Sequence, residues 1–124
     1  MKVVLSIKPE FANKIFDGTK KFEFRKAIFK QDVKSIVVYS SSPVQKVIGE
    51  FEIEQIHSHD LETLWDLTKE DSGITEEYFY KYFAKRQFGF AIQVKKLLKY
   101  QQPKCLKTDY NLSPPQSFAY WYNE

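Results

Sequence analysis

The spacing of the apolar residues changes once within Leu5–Lys26, LSIKPEFANKIFDGTKKFEFRK, and that change constrains the fold more than any other feature of the chain. Pro9 suits the first turn of a helix, where its missing N–H costs nothing. Phe11, Ala12, Ile15 and Phe16 then share one helical face. Gly18 follows as a left-handed cap. Beyond it Phe22 and Phe24 alternate with Lys21, Glu23 and Arg25, which is the period of a strand. A short helix must therefore turn on one glycine into a strand with a phenylalanine face and a charged face. The charged face has two readings. It is either a solvated face with weak cross-strand ion pairs or a ligand groove. In the groove Arg25 offers a planar fork that Glu23 holds in place, and Lys20 and Lys21 attract an anion.

The residues Gly18, Lys20, Glu23 and Arg25 form the pattern G-x-K-x-x-E-x-R. Placed after a short N-terminal helix, with Ser6-Ile7-Lys8-Pro9 before it and Ser72-Gly73-Ile74-Thr75 later, this pattern resembles the signature of the ASCH domain family. The resemblance extends over roughly the first hundred residues. It implies an α+β fold: a small PUA-like β-barrel flanked by short helices, with residues 1–124 as a single domain. It also implies a ligand. A binding module would contact RNA or a modified nucleoside through Lys8, Lys20, Lys21, Glu23 and Arg25. Some small bacterial ASCH proteins are amidohydrolases acting on N4-acetylcytidine, and others are suggested to cut RNA. On the amidohydrolase pattern the catalytic positions fall on Lys20, Glu23 and Glu70. The family's threonine is replaced by Glu23, and a carboxylate cannot replace a hydroxyl nucleophile in simple acyl transfer. Glu23 would instead act as general base for water, with Lys20 as acid or oxyanion partner. Binding is the reading we favour, with catalysis as the alternative. No cofactor is implied.

Charge is unevenly placed. Residues 1–30 carry eight Lys/Arg against three Asp/Glu, and residues 31–124 carry eleven against thirteen. A basic first third favours a polyanionic partner. The 11 Phe and 8 Tyr suit a small core that is filled by few large side chains. The lone Cys105 allows no internal disulfide. No signal peptide is visible, since five residues separate Lys2 from Lys8, and no apolar run nears the ~18 residues of a membrane span. A reduced, cytoplasmic setting fits, with no membrane partner.

Further strands are expected at Ser35–Ser40, at Lys46–Ile56 and from Phe88 onward. In the second of these, Val47, Gly49, Phe51 and Ile53 form one face, and Glu50, Glu52 and Glu54 form a solvated outer one. Gly49 marks a bulge. Asp60 and Thr75 read as N-caps of two helices. His57 and His59 lack a third ligand, so no metal site is expected. Phe22, Phe24, Phe51, Ile53, Phe90 and Ile92 are expected to point together into the barrel. The aromatic tail around Trp121 is read as the lid of a core.

Overall fold

The computed structural model describes residues 1–122. Six strands, β1 (Lys2–Ile7), β2 (Phe22–Arg25), β3 (Ser35–Ser40), β4 (Lys46–Asp60), β5 (Phe88–Lys104) and β6 (Phe118–Trp121), form one sheet in the order β2-β5-β4-β3-β1-β6. Only β1 and β3 run parallel; the other pairs are antiparallel. Four helices, α1 (Pro9–Asp17), α2 (Leu61–Thr68), α3 (Glu76–Tyr82) and α4 (Leu106–Tyr110), lie against it. The α+β class is as expected. The barrel is not: backbone pairing leaves β2 and β6 as edges, so the sheet stays open. The Arg25 side chain of β2 crosses the gap to β1 and to the segment before β6.

The local signals act as the residue types dictate. Pro9 opens α1, and Gly18 ends it at φ +88°, accepting the left-handed conformation at no steric cost. The Asp60 carboxylate and Thr75 hydroxyl accept the backbone N–H of Thr63 and Tyr78, capping α2 and α3. Gly49 lies at a register shift of β4. A Cβ there would come within 2.6 Å of the Leu98 carbonyl and 2.7 Å of the Phe16 ring. The shift also changes faces. Val47 packs with Val4, Val37, Tyr39, Leu106 and Tyr110 on one side, while Phe51 packs on the other with Val3, Leu5, Ile7, Ala12, Ile15, Ile36, Val38 and Ile92.

The two faces of β2 are the reverse of a simple inside and outside. Glu23 pairs across the ladder with Ile92, and Phe24 with Ala91. Opposed residues share a face, so Glu23 and Arg25 point the same way as Ile92, toward the core that α1 covers. Phe22 and Phe24 point away from it, into a second core with Leu64, Trp65, Phe79, Phe83 and Ala91 beneath α2 and α3. Five of the six residues expected to converge are therefore divided between two cores, Phe90 belongs to neither, and Ile53 and Phe90 are only half-buried. The reason is the helical cover: both faces of β2 are buried, so alternation alone cannot say which is the interior. Glu50 also departs from its expected solvated face. It accepts hydrogen bonds from Lys2 Nζ (2.8 Å) and the Tyr100 hydroxyl (2.6 Å), while Glu52 and Glu54 are exposed. The tail does cover a core: Trp121 packs edge-on against Tyr110, and β6 extends the sheet beside β1. Among the described residues, no helix is long and apolar enough to cross a membrane.

Candidate functional site

The open seam of the sheet encloses a cavity of about 140 Å³. The end of β1 supplies Ser6, Ile7 and Lys8; α1 supplies Phe11; and the strand after Gly18 supplies Lys20, Glu23, Phe24 and Arg25. Ile74, Tyr78 and Tyr82 form the wall beside α3. Turning α1 onto β2 through a single glycine is what places Lys20 between Phe11 and Phe24.

Lys20 is 2% exposed. Its ammonium donates to the Ser72 carbonyl (2.8 Å) and lies 4.8 Å and 5.3 Å from the ring centroids of Phe24 and Phe11. It has no salt-bridge partner among the described residues. Burial pulls its pKa down to about 8, against the opposing field of Glu23, and the cations Lys14 and Arg25 add to the downward shift. Two rings and one carbonyl offset only part of the lost hydration. Gly73 makes this packing possible: at φ +70° it brings its backbone so close that a Cβ would stand 2.5 Å from the Lys20 Cβ. Lys14 Nζ donates to the Gly73 carbonyl, latching the same loop to α1.

Glu23 and Arg25 form the second part of the floor. Arg25 Nη2 lies 3.0 Å from Glu23 Oε2, with side chains 11% and 9% exposed. The same nitrogen donates to the Ser6 carbonyl (2.9 Å), and Nη1 reaches the Ser117 hydroxyl (3.4 Å). Arg25 thus ties β2 to β1 and to the chain entering β6. Its Nε is buried with no acceptor. The walls are aromatic: Tyr78 stacks on Tyr82 at an interplanar angle of 10° and meets Phe11 edge-on. The Tyr82 hydroxyl donates to the Phe24 carbonyl, and burial raises its pKa.

Of the residues expected at the site, Lys8, Lys20, Glu23 and Arg25 line this cavity. Lys21 does not; it is exposed, 4.0 Å from Asp71. Glu70 is exposed on the 3-10 turn Lys69–Asp71 and lies outside the lining. Burial outweighs Glu23, the one carboxylate that shares the cavity with Lys20, yet at a pKa of about 8 the amine is still mostly charged at neutral pH. Sequence reasoning did not single out Ser6, Ile74, Tyr78 or Ser117 as site residues. An aromatic pair at i, i+4 on a helix reads as core packing, and a serine ninety-two positions from Arg25 carries no local signal. No group of three or more His, Cys, Asp or Glu side chains suited to a metal occurs among the described residues.

Comparison with known proteins agrees with this architecture. The ASCH domain profile matches residues 5–101. The ASCH domain-containing ribonuclease of Zymomonas mobilis is 31% identical over 99% of this chain and 86% of its own length. The crystal structure of ASCH from Zymomonas mobilis superposes with a TM-score of 0.89 at 30% identity, covering 99% of this chain and 88% of that one. Two proteins of Ureaplasma parvum serovar 3 match over 95% of this chain: one named ATP synthase subunit alpha (33% identity) and one named large ribosomal subunit protein uL22 (30%). The chain spans only 15% and 38% of their lengths. With the profile match covering most of the sequence and the fold of a crystallised member reproduced along it, the chain belongs to the ASCH domain family.

Proposed function

We propose that this ASCH domain binds RNA by taking one pyrimidine nucleotide into the seam cavity. The observation that carries the reading is the cavity itself, which sets three largely buried charged side chains under aromatic walls in about 140 Å³. An apolar cavity of about 150 Å³ holds one benzene ring, so the volume under the aromatic walls matches a single six-membered ring better than a fused purine. The Lys20 ammonium, which gives one proton to the Ser72 carbonyl, has others to donate to a ring carbonyl, and Arg25 holds Glu23 in place beside it. The carboxylate of Glu23 accepts from a ring or exocyclic N–H. Phe11, Tyr78 and Tyr82 supply faces and edges for stacking. The ribonuclease name of the Zymomonas relative supports the RNA class.

The test is equilibrium binding of cytidine, uridine, adenosine and guanosine monophosphates and of short pyrimidine or purine RNA. Pyrimidines should bind, and Lys20→Ala and Glu23→Gln should each weaken them on the order of tenfold. Purine preference, or no nucleotide binding, overturns the reading.

A second reading, catalysis at the same site, rests on the lowered Lys20 pKa. With a pKa of about 8, about a tenth of the amine is neutral at pH 7. That fraction can serve as a general base, whether for RNA cleavage or for hydrolysis of an N4-acyl group. The two readings differ in sign. A charged Lys20 donor loses ligand as pH rises through about 8, whereas a Lys20 base gains activity over the same interval. Incubation with N4-acetylcytidine and with short RNA, followed by measurement of cytidine and cleaved ends, decides between them. Turnover lost in Lys20→Ala and kept in Cys105→Ala establishes catalysis.

A further inference from the structure

The charged residues outside the cavity are not distributed evenly around it. Lys8 lines the mouth on the β1 side and is exposed. Lys26 is outside the lining but exposed beside it, with its Nζ 4.9 Å from the ring centroid of Tyr82, a wall residue. Neither lysine has a salt-bridge partner among the described residues, whereas Lys21 has Asp71 near it. Lys8 is also the N-cap residue of α1, whose first turn has no side-chain cap, so the helix dipole adds to the same positive field. Inside the cavity the charges are already engaged: Arg25 holds Glu23 and Ser6, and Lys20 holds Ser72. A ligand that filled the cavity with its base would leave its sugar and phosphate at the mouth, near two free ammonium groups.

We infer that Lys8 and Lys26 form a phosphate subsite that flanks the base cavity, so that the domain selects a phosphorylated nucleotide or an RNA strand over a free nucleoside. The inference rests on the base-pocket reading above and adds to it the source of phosphate selectivity. Lysine suits the task because an ammonium is a point charge on a flexible stem that follows a mobile phosphate. The Lys26 ammonium already rests by the Tyr82 ring, so a phosphate held there adjoins the aromatic wall that faces the base.

The probes are cytidine and uridine and their 3′- and 5′-monophosphates, measured by calorimetry at fixed salt against wild type, Lys8→Ala/Lys26→Ala and Lys21→Ala. In the wild type at least one monophosphate should bind on the order of tenfold tighter than its nucleoside. The double variant should lose that advantage, its monophosphates binding no tighter than its nucleosides, while Lys21→Ala should keep it. Comparing 3′- with 5′-phosphate shows which end of the nucleotide lies at the mouth. Binding of the nucleosides without any phosphate advantage, or an advantage that survives in the double variant, overturns this inference and leaves the base pocket standing. Absence of binding by nucleosides and monophosphates alike overturns the base pocket and the subsite together.

Discussion

Lys20 carries a positive charge where the surroundings do not favour one. Because burial depresses its folded pKa below the ordinary lysine value, the unfolded chain holds this proton more tightly than the folded one. The charged residue therefore costs stability at and below neutral pH, and stability rises as pH climbs from about 8 through the unfolded lysine pKa, near 10.4. A shift of this size corresponds to about 3 kcal/mol. Lys20→Met should accordingly raise the melting temperature at pH 7 and flatten the alkaline rise in stability, while nucleotide binding weakens as in Lys20→Ala. Thermal melts at pH 6, 7.5 and 9 check it, and a lower melting temperature at pH 7 sinks the argument. A protein more stable without a residue has kept that residue for another purpose. Glu23 and Arg25 make the complementary case. Each is buried against the other, so Glu23→Gln or Arg25→Met alone leaves one charge unpaired and should cost about 3 kcal/mol or more. The double variant should cost less than the sum, as a double-mutant cycle by urea titration would measure.

At the scale of elements, much was legible before the structure. Pro9, Gly18, Asp60 and Thr75 act at their own positions, so their consequences can be read locally. Arg25 meets Glu23 because residues two apart on a strand share a face. The interior assignment of β2 was not legible, since alternation gives two faces and only tertiary cover decides which is the core. The aromatic wall was hidden because Tyr78 and Tyr82 have the spacing of ordinary helix packing. α4 was missed because its five residues are too few for a period, and its cap is the thiol of Cys105 accepting from Thr108 N–H. The loop at Ser72-Gly73 could be read as family-like, but not as the clamp on Lys20. Gly73→Ala tests that clamp. The new Cβ meets a left-handed backbone and the Lys20 side chain at once, so a loss of more than about 2 kcal/mol is expected. The Lys20 titration, followed by NMR of its side chain, should move up from about 8 as the cover loosens. An unchanged midpoint would show that the loop does not set the charge of this lysine.

The whole molecule is an open sheet whose missing closure is replaced by one arginine. Arg25 reaches β1 at Ser6 and the chain beyond at Ser117, while the Ser6 hydroxyl donates to the Pro115 carbonyl. The Tyr120 hydroxyl, at the far side of β6, accepts the backbone N–H of Lys30 and Gln31. These ties join the early motif to residues 115–121, beyond the segment that the family profile matches. A chain cut after Lys104 should therefore keep β1–β5 but leave β1 as an exposed edge. Hydrogen exchange in β1 should speed up in the cut chain, and nucleotide affinity should drop on the order of tenfold. Unchanged exchange in β1 would mean that the early strands support themselves.

That long-range tie has a consequence during synthesis. The G-x-K-x-x-E-x-R stretch is made about ninety residues before Ser117, its partner across the seam. Its cavity lacks the support of Ser117 and β6 until residues 115–121 have also been made. The cavity is therefore completed only when β6 takes its place beside β1, however early its charged residues are made.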